Sequence, residues 1–368
     1  MANLFVIHTP LQMLVSQQII RQEKLSDNIL IESCWEGHEH FLKIYDVCCI
    51  DNLWNKKYTL KDFACWDNQG IGLIKNYNRT RRYYNIIKKI LYENNITSIY
   101  LADYQNQTMR FTTVLFSKQG YKIIFFEEGY SQYVKRPGVV STSILAKVKE
   151  NIIDYFYFLP IWKIKFARWR NNPNMPYNGL PIYKRYSIVP GILQEKYDER
   201  LFCEKMTSEK LYNIIKSEIN QNRLHNSILL LTDPMTEVLN KRYQSLYFDV
   251  IEESLSEFNK DSIVYIKYHP REDDYSKKKT IDIVKSLNME YIIIGNRINI
   301  PVEYYLQEYE FKEILFFNTS TFFYNGYIYP QRHFRMLLPT LYNKCINEDI
   351  KQEELKYMKE LITKMENL

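Results

Sequence analysis

Short runs rich in β-branched and aromatic residues alternate with amphipathic stretches, and this alternation limits the fold more than any other feature of the chain. In the first half it predicts strands at Leu4–His8, Asn28–Glu32, Ser98–Ala102 and Tyr121–Phe126. Between and after these strands it predicts helices at Leu11–Glu23, Thr80–Asn94, Thr108–Gln119 and Ser141–Tyr157. Strands that alternate with helices in this way imply a mostly parallel sheet flanked by helices.

A stretch dense in turn-forming residues, Asn171–Pro181, interrupts the alternation and is the best domain boundary in the sequence. The second half then repeats the pattern, with predicted strands at Ser227–Leu231, Ser262–Lys267, Tyr291–Ile294, Glu313–Phe317 and Phe334–Leu338. Helices are predicted at Val238–Phe258, Asp274–Asn288, Pro301–Gln307 and Glu348–Met365. We therefore predict a first domain at 1–172, a linker at 173–185, a second domain at 186–345 and a C-terminal helix at 346–368.

Two α/β halves with a short connection predict the GT-B architecture, in which two Rossmann-like domains face each other. Ligands of parallel sheets bind outside the C-terminal ends of the strands. The side chains that follow the predicted strands are therefore the first candidates for a functional site.

The composition is that of an ordinary globular protein, with 46% hydrophobic and 25% charged residues. The six cysteines show neither a C-x-x-C pair nor a Cys/His metal spacing, so we expect free thiols in a reducing compartment. No signal peptide and no apolar stretch of ~18 residues is visible. The expected location is the cytoplasm.

An acidic pair, Glu127 and Glu128, follows the predicted strand Tyr121–Phe126 and precedes Gly129. Adjacent carboxylates repel each other and partial burial disfavours their charge, so one of them suits a general base. The glycine permits a sharp turn and a close approach to a ligand. Either acid can be the base, and a plain turn with two solvated acids is the alternative for this motif alone.

A cation and an imidazole, Lys267 and His269, end the predicted strand Ser262–Lys267 and are followed by Pro270. Residues two apart on a strand point to one face, so the two side chains together make a good phosphate site. A His-Pro pair alone more often marks a simple turn.

Three hydroxyls, Thr319, Ser320 and Thr321, follow the predicted strand Glu313–Phe317 and can donate to a phosphate. An ordinary helix N-cap is the equally good alternative. Glu303 is a candidate acceptor for ribose hydroxyls, or an acid favoured by the dipole of its helix.

Together these motifs resemble those of bacterial sialyltransferases: an acidic pair followed by glycine, a His-Pro pair and a Ser/Thr pair. The resemblance extends over nearly the whole chain. It is closest to glycosyltransferase family 52, which makes lipooligosaccharide and capsule sugars, and more distant to the bacterial polysialyltransferases.

The resemblance implies an inverting sialyltransferase that moves sialic acid from CMP-sialic acid to a bacterial surface glycan, without a cofactor or a metal. It implies that Glu127 is the base and that His269 is the acid on the leaving phosphate. It implies donor binding by a set of residues in the second domain: Lys267, Pro270, Glu303, Thr319, Ser320 and Thr321. The first domain would then serve the acceptor. Lipooligosaccharide enzymes often carry Asp-Asp where this chain has Glu-Glu, which leaves the acceptor open.

The segment between Lys135 and Arg170 alone accounts for the net charge of +6, because it contains eight basic residues and two acids. Many aromatic residues are interleaved with them. Such a segment suits the surface of an anionic membrane, which would place the enzyme peripherally on the inner membrane. A core helix with solvated cations is the alternative.

A homodimer is among the assemblies that the sequence leaves open.

Three other functions compete with sialyl transfer to a lipooligosaccharide or capsule. The chain could be a GT-B enzyme for another nucleotide sugar, a polysialyltransferase, or a non-catalytic subunit that binds glycan or membrane in a capsule complex. The linkage (α2,3, α2,6 or α2,8) and the number of sugars added do not follow from the sequence.

Overall fold

The structure is a computed structural model that describes residues 2–34, 39–61, 71–102, 116–127, 148, 152, 183–189, 198–234, 244–348 and 352–366. The chain forms two compact units, 1–202 and 203–368. Each unit is built on one parallel sheet, as the alternation of strands and helices predicts.

The first unit contains a seven-stranded sheet in the order β3-β2-β1-β4-β5-β6-β7. Its strands are β1 (Ala2–Ile7), β2 (Asn28–Ser33), β3 (Lys56–Leu60), β4 (Ile96–Ala102), β5 (Lys122–Phe126), β6 (Lys184–Ser187) and β7 (Asp198–Arg200). Its helices are α1 (Pro10–Gln22), α2 (His40–Cys48) and α3 (Ile71–Glu93). The apolar side chains of β1, β2 and β4 pack with those of α3 in the core.

The second unit contains a five-stranded sheet in the order β10-β9-β8-β11-β12. Its strands are β8 (Ser227–Leu231), β9 (Ile263–Lys267), β10 (Glu290–Ile293), β11 (Glu313–Phe316) and β12 (Phe334–Met336). Its helices are α4 (Glu209–Glu218), α5 (Gln244–Ser256), α6 (Asp274–Ser286), α7 (Val302–Glu308), α8 (Ser320–Phe323), α9 (Leu338–Ile346) and α10 (Gln352–Glu366). Every residue of β8 and β9 is buried, which makes these strands the centre of the unit.

Both sheets follow the same winding rule. In each unit the first strand lies inside the sheet, the next two strands extend to one side, and the chain then crosses to the other side. The strand order therefore reverses between β1 and β4 in the first unit and between β8 and β11 in the second. In doubly wound sheets such a reversal opens a crevice for a ligand at the C-terminal ends of the strands.

Side-chain caps fix the helices that leave these strand ends. Thr9 accepts a hydrogen bond from the backbone N–H of Gln12 at the start of α1, where Pro10 is the first helical residue. Asp273 accepts from the N–H of Ser276 over 2.7 Å at the start of α6. Because the caps satisfy free N–H groups, the turns between strand and helix are well defined.

All nine predicted strands are present, but the sequence missed β3, β6 and β7. β3 and β7 are the edge strands of the first sheet, where one side of the strand has no partner and hydrophobic alternation is weak. β6 is short and reads Lys-Arg-Tyr-Ser, so its charged residues concealed a strand that is largely buried.

The boundary between the units also differs from the predicted one. β6 pairs in parallel with β5 and β7 pairs with β6, so the first sheet continues through residues that we assigned to the linker and the second domain. The first unit accordingly ends at Phe202.

Four predicted features lie wholly or mostly outside the described residues. These are the helices Thr108–Gln119 and Ser141–Tyr157, the basic segment Lys135–Arg170 and the turn-rich stretch Asn171–Pro181. Of the basic segment the structure describes Val148 and Ile152, both about half exposed. Across the described ranges, none of the helices combines the length and the apolar character needed to span a bilayer.

Candidate active site

Polar side chains collect at the C-terminal ends of three neighbouring strands in the second sheet. Thr232 follows β8, His269 follows β9, and the hydroxyl residues Thr319–Thr321 follow β11. This is the edge at which the strand order reverses. The structure thus brings the predicted residues of the second domain together where a ligand of such a sheet binds.

The ring of His269 is held in one orientation. Its Nδ1 accepts a hydrogen bond from the backbone N–H of Arg271 over 3.1 Å. Since Nδ1 is the acceptor, the neutral ring carries its proton on Nε2, which can donate to a ligand. Burial, followed by the nearby charges of Arg271 and Lys267, lowers the pKa of His269 to about 4. At neutral pH the free protein therefore presents a neutral hydrogen-bond donor. Pro270 is exposed in the turn behind it.

Lys267 places a buried cation beside this ring. The residue is 8% exposed, and its ammonium donates a hydrogen bond to Asn299 Oδ1. Burial lowers the pKa of Lys267 to about 8, although the charges of Glu218 and Glu303 act in the opposite direction. Within the described part of the chain, Lys267 forms no ion pair. A buried ammonium without a paired carboxylate suits an anionic ligand.

Gly295 lets the Lys267 ammonium take this position. Its φ of +68° lies in the left-handed region, and a Cβ added there would stand 3.1 Å from Lys267 Nζ. Both facts favour glycine at this point.

The hydroxyl residues after β11 form a connected group with Glu303. Thr321 donates its hydroxyl proton to Glu303 Oε1 over 2.9 Å. The backbone N–H of Thr321 donates to Thr319 Oγ1 over 3.2 Å, which caps the short helix α8. Glu303 is 5% exposed and its burial raises its pKa. Thr319 and Ser320 are only partly buried, so their hydroxyls are the accessible members of the group.

A second buried acid, Glu272, lies behind His269. It is 4% exposed, and its Oε2 accepts a hydrogen bond from the Thr232 hydroxyl. Burial raises the pKa of Glu272 to about 7. Sequence analysis missed Glu272, Thr232, Asn299 and Glu218. The one available signal was the position of Glu272, three residues after His269 in the same turn.

In the first unit, Glu127 follows β5 as predicted, but its carboxylate is buried against the residues that follow β6. The residue is 1% exposed. Its Oε2 accepts from the N–H of Ile188 over 2.7 Å, and its backbone N–H donates to Tyr186 over 3.2 Å. Glu128 and Gly129 lie outside the described residues. That Glu127 acts as the base, with Glu128 as the alternative, stays a prediction.

Over the residues that the structure covers, no group of three or more His, Cys, Asp or Glu side chains has the arrangement of a metal site. Five cysteines among these residues are free thiols. The expectation that transfer needs no metal stays a prediction.

The sequence was compared with models of protein families. The model of the alpha-2,8-polysialyltransferase (POLYST) family matches residues 3–338. The chain belongs to this family. It is the group that the sequence motifs indicated as the more distant resemblance, whereas family 52 was expected to be closest. A comparison with curated proteins gives no match.

Solved structures share the fold at low identity. The chain is similar to the glycosyltransferase of kitacinnamycin with a TM-score of 0.50 and 8% identity, over 99% of this chain and 96% of that one. It is also similar to the UDP-GlcNAc 2-epimerase of Methanocaldococcus jannaschii, with a TM-score of 0.47 and 14% identity, over 86% and 78% of the two chains. The chain is similar to the UDP-GlcNAc 2-epimerase of Neisseria meningitidis as well, with a TM-score of 0.45 and 11% identity, over 86% of this chain and 77% of that one.

The two parallel sheets and the likeness to the kitacinnamycin glycosyltransferase confirm the predicted GT-B fold. The family match confirms the predicted enzyme class. The protein is a glycosyltransferase of the polysialyltransferase family, and a sialyltransferase that depends on CMP-sialic acid. Among the functions that competed in the sequence analysis, the family match supports the polysialyltransferase.

Proposed function

We propose that this enzyme transfers sialic acid, with inversion, from CMP-sialic acid to a glycan that already ends in sialic acid, and that it builds a polymer for a bacterial capsule. Membership of the alpha-2,8-polysialyltransferase family supports the acceptor and an α2,8 linkage. A sialylated glycan thus takes the place of the lipooligosaccharide acceptor that the sequence analysis considered.

The observation that carries the donor half of the proposal is the pairing of Lys267 with His269 at the reversal of the second sheet. CMP leaves with one phosphate group, which bears far less charge than a diphosphate. A buried ammonium and a neutral Nε2–H can stabilise the charge that develops on that phosphate. Thr319 and Ser320 would add hydroxyl donors, and Glu303 would accept from the ribose.

The reaction breaks one bond and forms one bond at the anomeric carbon of sialic acid. A carboxylate of the Glu127-Glu128 pair takes the proton from the acceptor hydroxyl, and the acceptor oxygen attacks the anomeric carbon. The bond to the phosphate oxygen breaks at the same time, and the electron pair leaves with CMP. Attack from the face opposite the phosphate inverts the configuration.

The lowered pKa of His269 changes one predicted role. A ring that is neutral above pH ~5 cannot act as a full acid on the phosphate at neutral pH unless donor binding raises its pKa. The phosphate monoester of CMP is also a good leaving group that needs no proton. We therefore assign His269 to hydrogen-bond stabilisation through Nε2.

The enzyme would act at the surface of an anionic membrane, where a lipid-linked acceptor is held. The composition of Lys135–Arg170 supports this. A second basic surface is the exposed face of α3, which carries four cations spaced to lie on one side of the helix: Arg81, Arg82, Lys88 and Lys89.

The test is a CMP-release assay with matched acceptors that end in galactose or in α2,8-linked sialic acid, followed by analysis of product length. The proposal predicts CMP release and a ladder of longer products with the sialylated acceptor. One added sugar on the galactose acceptor, with no extension of the sialylated one, would refute it. EDTA is expected to leave the rate unchanged.

A further inference from the structure

We propose that Glu272 is a positioning residue: it fixes the backbone of His269 and so directs the ring Nε2 toward the donor phosphate. This inference rests on the proposed role of His269. It goes beyond that role because it assigns a task to a buried acid that touches neither donor nor acceptor.

Both backbone groups of His269 are tied to the same small network. Its N–H donates to the hydroxyl oxygen of Thr232 over 3.3 Å. Its carbonyl accepts from the N–H of Glu272 over 3.0 Å. The Thr232 hydroxyl in turn donates to Glu272 Oε2. Glu272 therefore holds His269 directly at its carbonyl and through Thr232 at its N–H.

The charge of Glu272 decides how the Thr232 hydroxyl is oriented. A hydroxyl has one proton and two lone pairs. An ionised Glu272 can only accept, so it takes that proton and leaves a lone pair facing the His269 N–H. A protonated Glu272 can itself donate to the Thr232 hydroxyl oxygen. The hydroxyl proton is then free to point away from Glu272, which weakens the hydrogen bond that Thr232 accepts from the His269 N–H.

Several groups surround the carboxylate. Tyr247 on α5, Tyr268 and His269 after β9, and Thr232 after β8 face it, together with Asp273 and Lys277 at the start of α6. Burial and Asp273 favour the neutral acid, while the bonds from Thr232 and from the backbone, and the charge of Lys277, favour the carboxylate.

Burial prevails and leaves the pKa near 7. No described residue makes a hydrogen bond to Glu272 Oε1. The ionised form should therefore build up as the pH rises through about 7. We expect the turnover rate to rise over the same interval.

Glu272→Gln and Glu272→Ala separate positioning from simple structural support. The glutamine keeps an acceptor for Thr232 but cannot ionise. We therefore expect the kcat of Glu272→Gln to stay within about threefold of wild type at pH 7.5. Its kcat should not increase as the pH rises through about 7. The alanine removes the acceptor, so its kcat should fall by about tenfold or more because the His269 ring is misplaced. The KM for CMP-sialic acid should change much less.

Glu308 is a matched control in the same unit. Its side chain is 2% exposed, and it accepts a hydrogen bond from the Thr207 hydroxyl over 2.6 Å. It is the last residue of α7, whereas Glu303 of the candidate site lies at the start of that helix. Glu308→Ala should cost stability, as we also expect of Glu272→Ala, without changing kcat or its pH profile.

NMR of the histidine rings provides a readout that does not depend on transfer. The His269 signals, assigned with the His269→Ala variant, should show protonated Nε2 and unprotonated Nδ1 in wild type and in Glu272→Gln. In Glu272→Ala the backbone of His269 is held less firmly and its ring can leave the Arg271 N–H, so the signals should move toward a mixture of tautomers. Wild-type ring shifts and wild-type kcat in Glu272→Ala would overturn the inference. If wild type released no CMP, the proposed function would fail, and the ring shifts alone would still decide the role of Glu272.

Discussion

Two histidines, one in each unit, follow central strands and have lowered pKa values because of burial, yet their surroundings differ. His8 follows β1 and is 0% exposed, with its pKa lowered to about 3. Its Nδ1 shares a hydrogen bond with Ser33 Oγ, and its backbone N–H donates to Gln12 over 2.6 Å. His269 is only partly buried, and a backbone N–H fixes its tautomer.

The comparison shows two different surroundings for a histidine at a strand end. His8 is enclosed and connects β1, β2 and α1. The His269 ring is fixed by its own turn and remains accessible. We therefore expect His8 to matter for stability and His269 for turnover.

The largest expected effect on activity is that of His269→Ala. Loss of the Nε2 donor should lower kcat/KM for CMP-sialic acid by about 10²-fold or more, within the range for a group that acts on the transition state. The thermal midpoint should change little because the ring is partly exposed. The measurement is CMP release, with circular dichroism as the fold control. A variant with wild-type turnover would remove the distinction between the two histidines.

Glu127→Gln tests the base in the first unit, and Glu128→Gln is its neighbouring control. If Glu127 is the base, transfer should fall by about 10²-fold or more, while CMP binding stays the same. The amide can still accept from the Ile188 N–H, so the fold should persist. The opposite pattern, with the loss confined to Glu128→Gln, would make Glu127 a structural acid that orients the strand end.

Lys267→Ala should mainly weaken donor binding, by about tenfold or more, because one charge-assisted hydrogen bond to the phosphate is lost. In wild type the charged ammonium is the binding form. Since the pKa of Lys267 is about 8, kcat/KM for the donor should fall as the pH rises through about 8. Calorimetric CMP titrations and a pH profile check both points. A variant that binds CMP like wild type would exclude Lys267 from the phosphate site.

Gly295→Ala should produce a smaller version of the same defect. The added methyl group would press on the Lys267 ammonium, and the positive φ is strained for alanine. We expect an increase of about threefold to tenfold in the KM for CMP-sialic acid, with kcat nearly unchanged. A variant with wild-type KM and lower kcat would show that Gly295 does not serve to make room for the Lys267 ammonium.

His8→Ala should lower stability by roughly 2 kcal/mol or more, because a buried side chain is removed from a packed core. Activity per folded molecule should be the least affected of all these variants. Wild-type stability should also fall as the pH drops from 6.5 toward 3, since the unfolded chain takes up a proton that buried His8 does not. Chemical denaturation at several pH values measures this. A pH dependence that is the same in His8→Ala would contradict the assignment.

Local patterns predicted the fold and the residues next to the strand ends. Hydrophobic alternation located all nine predicted strands, and the His269-Pro270 pair marked the turn after β9. Glu272, Asn299 and Glu218 were missed because their roles depend on contacts between distant segments, such as Lys267 with Asn299. β6 was missed because a short strand with two cations has no apolar pattern, although Arg185 on it is 2% exposed. The sequence identified the sialyltransferase class but ranked the two related families in the wrong order.

The most direct test of the account is a crystal structure of the enzyme with CMP. We predict a phosphate oxygen within about 3 Å of His269 Nε2, a second oxygen near Lys267 Nζ, and the ribose beside Glu303. A CMP phosphate bound elsewhere, with His269 and Lys267 contacting only protein atoms, would contradict the central claim that the C-terminal edge of the second sheet is the donor site.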